Sequence, residues 1–110
     1  MDIPKQIKVA ANIVDIESWP IGEAFPEGRY GDFTQSLLKI RVSDGTKLSI
    51  SQNTLLHEVL HSIYHAYNMY SEDDEERTVT AMANGLIQVL QDNPALVNFL
   101  MDEEVDSETK

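Results

Sequence analysis

Near the start of the chain, Ile7, Val9, Ala11 and Ile13 recur at period two, the alternation of a half-buried strand. The following "WPIGEAFPEGRYGD", Trp19 to Asp32, holds two prolines and three glycines and reads as a long irregular connection. Leu38, Ile40 and Val42 then alternate with Lys39 and Arg41, Asp44-Gly45 follows, and Leu48 and Ile50 resume the alternation. An Asp-Gly pair between two such runs signals a hairpin, because both central residues of a type I′ turn need positive φ. The minimum reading is an antiparallel sheet of about three strands.

The period changes after Ser51. Leu56, Leu60, Ile63 and Tyr67 fall at helical spacing, so a helix is expected over about 52–68, capped by Ser51 or Asn53 and ended by Asn68. Ser71 stands three residues before Asp74, a capping-box arrangement that opens a second helix with acids at the favourable end of its dipole. Val79, Met82, Ala83, Leu86, Val89 and Leu90 give that helix one broad apolar face. Asn93 and Pro94 open a short third helix carrying Leu96, Phe99 and Leu100. Strands first and helices afterwards make the chain α+β, with the sheet packed on two to three helices. No internal repeat is visible.

With 110 residues and 42% hydrophobic content, residues 1–101 are read as one folded domain. Residues 102–110 form an acidic tail with the character of a solvated end. A formal net charge of -11 sets Coulomb repulsion against a phosphate backbone, so direct nucleic-acid binding is not expected. The first residues lack a signal-peptide pattern and no run of about 18 apolar residues occurs, so a cytoplasmic protein without membrane association is expected. The chain has no cysteine, which leaves His, Asp and Glu as the only strong metal ligands.

All three histidines lie in "TLLHEVLHSIYHAYN", Thr54 to Asn68. His57, Glu58 and His61 spell H-E-x-x-H inside the first helix, a spacing that stacks two imidazoles one turn apart on one face. Those imidazoles can reach one Zn²⁺, and Glu58, rotated by about 100° from His57, lies beside them, placed to take a proton from an activated water. The plainer reading is a helix whose histidines hydrogen-bond at a half-buried surface. The mid-helix position after a strand, in a cysteine-free chain, favours the metal. His65 falls about 80° round the helix from His57, too far to close a tetrahedral site, and is expected beside the site or on the surface. Tyr64 is a neighbour of the same face. A third ligand must then be a carboxylate of the second helix. With Val79 at the centre of its apolar face, Glu75 lies about 40° to one side and Glu76 about 60° to the other. A short turn forming a helical hairpin would bring either level with His61.

The segments "HEVLH" and "ERTVTAMANGLI" resemble the Glu-ligand zinc metallopeptidases, the gluzincins. They are most similar to the minimal phage and mobile-element members related to the ImmA/IrrE-like family. Glu76, Val79, Met82, Ala83, Leu86 and Ile87 match that family's second-helix pattern, so the resemblance selects Glu76 as third ligand, with His57 and His61 as the others and Glu58 as base. It covers about Thr54 to Ile87. Leu60 stands where the relatives have Gly, and no Met-Pro follows the aliphatic pair. A zincin-like fold and zinc-dependent hydrolysis of a protein or peptide substrate are implied. So is a substrate laid along a sheet edge, taken as the strand Leu38 to Val42, with Arg41 or Tyr30 near the oxyanion. The rival is a non-catalytic module on the same fold, whose acidic surface docks a basic protein partner as an inhibitor or nucleic-acid mimic.

Overall fold

The opening alternation is two strands rather than one. A computed structural model describes residues 3–69 and 75–103, and in it β1 (Gln6–Val9) and β2 (Asn12–Trp19) pair antiparallel across Ala10-Ala11. Ala10 takes φ 55°, a conformation that alanine adopts only against a penalty, and its N–H is held by Gln88 Oε1 at 2.7 Å. Neither Gly nor Asn marks this turn, and Ala11 continues the alternation through it.

The segment expected to be irregular holds a short helix, α1 (Ile21–Glu27), and the strand β3 (Gly31–Thr34). A 3-10 turn, Gln35–Leu37, leads into β4 (Lys39–Ser43). The sheet order is β1-β2-β4-β3, with β2 and β4 parallel and the other neighbours antiparallel. The sheet is therefore four-stranded and mixed, where an antiparallel sheet of about three strands was expected. The hairpin expected at Asp44-Gly45 does not form, because β4 already has β2 on one side and β3 on the other. Gly45 does take φ 86°, but the chain turns there into a helix.

That helix, α2 (Leu48–Ala66), starts earlier than the expected residue 52, and Leu48 and Ile50 form its first turn instead of a strand. Two residues of alternation do not distinguish the periods. Lys47 occupies the cap position without a side-chain bond, and Ser51 turns inward to Thr46 Oγ1 at 2.8 Å, so neither Ser51 nor Asn53 caps the helix. The other end follows expectation. Asn68 adopts φ 55°, its N–H bonds to the His65 carbonyl at 3.2 Å and that of Met69 to the Tyr64 carbonyl at 3.0 Å, the paired bonds of a Schellman motif.

Leu55, Val59 and Ile63 of α2 pack against the sheet, meeting Val14, Ile40 and Val42 in one core with Val89 of α3 (Glu75–Asp92) and Phe99 of α4 (Pro94–Met101). The expected apolar face of α3 is rotated. Val79 is 54% exposed, whereas Gly85 and Val89 are buried and Ala81, Met82 and Leu86 are half-buried. Gly85 is where α3 meets α2: a Cβ there would stand 2.5 Å from Ile63 Cγ2 and 3.0 Å from Tyr67 Cε1. Because this crossing lies at the C-terminal end of α2, α2 and α3 do not form the expected level hairpin. The Ser71 and Asp74 capping pair and the tail from residue 104 lie outside the described residues. Among the described residues the fold is α+β with four helices, none long and apolar enough to cross a membrane.

Gly85→Ala gains about 1 kcal/mol of helix propensity but forces the helices apart, and overpacking of this kind costs about 1–3 kcal/mol. We expect a net loss in urea denaturation, while Asn84→Ala, on the exposed side, stays within about 0.5 kcal/mol. An unchanged midpoint for Gly85→Ala would show that the crossing yields freely.

Candidate metal centre

The buried stripe of α2 runs through Leu55, Glu58, Val59, Ser62 and Ile63, and the helical period sets His57 and His61 on its exposed border. The two imidazoles converge. Their Nε2 atoms stand 3.2 Å apart and their rings are edge-on at 4.8 Å between centroids. Two ligands of a tetrahedral Zn²⁺ with bonds of about 2.0–2.1 Å are separated by about 3.3–3.4 Å, so this pair already spans one edge of such a site. Which ring donates in this contact is set by the tautomer of each imidazole.

Glu58 completes a group whose three donor atoms lie within 4.8 Å of one another. Among the described residues it is the only charged one in the core, 6% exposed. Burial pushes its carboxyl above the usual range; the nearby His57 and His61 oppose the shift and Asp32 adds to it.

The three residues open into a hollow of about 590 Å³ whose other wall is β3 with the residues before it, including Arg29, Tyr30, Gly31, Asp32 and Phe33. The strand can seat this close because Gly31 has no side chain. A Cβ there would lie 2.6 Å from Thr54 Cγ2 and 2.8 Å from the Arg41 carbonyl. Cross-strand pairing holds β3 from behind. Asp32 faces Arg41, which donates to it from both Nε, at 2.9 Å, and Nη2, and these bonds hold the Asp32 carboxyl below its usual range. The same guanidinium lies 3.9 Å from the Trp19 ring centroid.

The two edges of the sheet differ. On β1, Asn93 bonds to both the N–H and the carbonyl of Lys8, and Gln88 bonds to that carbonyl and to the Ala10 N–H, so side-chain amides occupy the backbone there. On β3, the Tyr30 carbonyl accepts from Ser43 N–H at 2.7 Å, and antiparallel alternation then points the N–H and carbonyl of Gly31 and Phe33 away from β4. Both residues line the hollow. The open edge beside the histidines is β3. The strand Leu38 to Val42, expected to take a substrate, is interior and has no free edge.

Tyr30 lines the hollow, whereas Arg41 does not, being engaged with Asp32 and Trp19. His65 lines it too, half-buried between the rings of Phe33 at 5.7 Å and Tyr64 at 5.6 Å. Glu76 is exposed and is not in the His57, Glu58, His61 group; nor is Glu75. The rotated phase of α3 explains this, since Glu76 lies about 180° round the helix from Gly85. Both acids also stand about 14–15 Å along the axis from the crossing. Asp32 and Gly31 escaped the sequence reading because β3 was hidden in a segment dominated by turn-forming residues. No family model, curated protein or solved structure matches the chain.

Glu58 also carries a pH signature. Its folded carboxyl titrates above the unfolded value of about 4.3, so both states are protonated below that pH and no penalty exists there. Stability is lost as pH rises through the folded value and is level above it. In metal-stripped protein, Glu58→Gln should therefore melt above wild type at pH 7, with the gap closing below about pH 4. A gap independent of pH would show that the charge is not its source.

Proposed function

We propose that the chain is a zinc-dependent metallopeptidase that hydrolyses an extended peptide held against β3. The supporting observation is the convergence of His57 and His61 Nε2 at 3.2 Å beside a buried carboxylate and an open sheet edge. The donor set of two neutral imidazoles with no thiolate suits zinc, and the three-ligand centre with one open position is the catalytic form of such sites. When bound, Zn²⁺ supplies Lewis acidity, polarising the scissile carbonyl and easing water ionisation towards pH 7.

The chain's own residues supply the rest. Gly31 and Phe33 offer backbone hydrogen bonds that fix the peptide as an added strand, so affinity comes from the main chain. Glu58 accepts the proton of the attacking water and returns it to the leaving amine; its burial raises its basicity for the first of these steps. Tyr30, at the mouth of the same hollow, is the residue placed to donate to the developing oxyanion. The third metal ligand is drawn from the acidic first turn of α3. The resemblance points to Glu76. The observed phase points to Glu75, which lies seven residues before Met82 and so on the same face, and Met82 shares a hollow with His57 and His61.

We expect one zinc per chain after purification without added metal, lost in His57→Ala and in His61→Ala. Glu58→Gln should keep fold and zinc while peptide hydrolysis drops about 10²–10⁴-fold. Full biological effect in the Gln variant would sink the enzyme reading and leave the rival, a scaffold docking a basic partner. A competition titration ranks the acids: Glu75→Ala should weaken zinc binding more than Glu76→Ala, and the reverse order would restore the choice made by the resemblance.

A further inference from the structure

The apolar face of α3 is wider than the part the fold buries. Gly85 and Val89 meet the core, and with Gly85 at 0°, Leu86, Val79, Leu90, Ala83 and Ile87 follow at about 100°, 120°, 140°, 160° and 200° round the helix. They form a second stripe, turned to solvent. Val79 and Ile87 are 54% and 53% exposed, Ala83 is exposed, and Leu86 and Leu90 are half-buried. A contiguous patch of this kind, unlike a lone exposed aliphatic residue, marks an interaction surface.

The spacing points to the shape of the partner. Val79, Ala83, Leu86 and Leu90 fall at i, i+4, i+7 and i+11, the seam of two helices packed side by side, and the small Ala83 lets a second backbone approach. The occupant is a helix. Glu75 and Glu76 stand at about 80° and 180°, on either side of Val79, and Glu72, Asp73 and Asp74 precede them in the sequence, so the stripe begins at an acidic end. A second copy of the chain would bring another net charge of -11, and Coulomb repulsion opposes that pairing. A lipid surface matches no better, because interfacial helices bind through lysine and arginine, whereas α3 has Arg77 as its one cation against Glu75, Glu76 and Asp92. We propose that this face of α3 docks an amphipathic helix of a partner protein, aliphatic along one seam and rich in lysine or arginine in its last turn. The two helices lie antiparallel. The dipole of the partner helix favours cations in its last turn, and only this orientation brings them to the acidic end of α3. Glu76 keeps that role where Glu75 holds the metal. The surface stands apart from the metal centre and serves a peptidase or a scaffold alike.

The test uses the full chain, with and without added zinc, and labelled synthetic peptides as long as α3, with binding read by fluorescence anisotropy. The first peptide carries leucines at i, i+4, i+7 and i+11 and lysines in its last turn. A second replaces the lysines with glutamates, and a third keeps the lysines but scrambles the leucines. The first should bind at least about tenfold more tightly than either, the scale of one buried aliphatic side chain or of opposed charge at a contact. Its margin over the glutamate peptide should narrow as salt shortens the Debye length. Val79→Gln and Ile87→Gln alter side chains already half in water, so each should keep the thermal midpoint and weaken the first peptide about tenfold. Zinc should change none of these affinities. Absence of binding overturns the proposal, and so does equal binding of the first peptide and either control. Affinity that survives both substitutions, affinity that depends on zinc, or a dimer of the chain that Val79→Gln dissociates overturns it likewise.

Discussion

Contact between β3 and α2 at Gly31 is the constraint on which the rest of the site depends. No side chain fits between this strand and Thr54, so the backbone of an edge strand lies against the flank of the helix that carries both histidines. Closeness alone would not hold it. Asp32 is tied to Arg41 on the neighbouring strand, and Arg41 is stacked on Trp19, so the short edge strand is fixed from its far side by an ion pair resting on a buried ring. An open hydrogen-bonding edge, a buried carboxylate and two converging imidazoles then meet in one hollow.

The helix that bears the histidines works against its own stability at one position. Glu58 sits in the stripe of α2 that otherwise carries Leu55, Val59 and Ile63 into the core, and nothing about packing asks for a carboxylate there. Its penalty is the kind of local conflict that accumulates at functional sites, where chemistry and not packing chooses the residue. The sheet shows the same division. Gln88 and Asn93 close the β1 edge with side-chain amides, which protects the fold from pairing with other chains, whereas the β3 edge runs beside His57, Glu58 and His61 without such amides among the described residues.

Two histidines four residues apart can only stack on one helix face, so His57 and His61 were legible as a pair from spacing alone, with Glu58 beside them. The end of α2 was equally local: Asn68 tolerates a left-handed backbone and stops the helix wherever it is placed. Helices over the later part of the chain and the α+β class followed from apolar periods long enough to be unambiguous.

Tertiary packing decided the remainder, and in each case the deciding contact is distant in sequence. Ala10 turns because Gln88 receives its N–H, and no neighbour of Ala10 announces it. Leu48 and Ile50 are helical because β4 has no free side left to pair with them. The rotation of α3 comes from Gly85 settling against Ile63 and Tyr67, a contact that outweighs the exposed Val79. A run of apolar residues covering more than one helix face leaves its phase open. Spacing along one helix therefore determined the two histidines and the glutamate between them, whereas the strand and helix faces that meet them were set by long-range packing, which spacing does not encode.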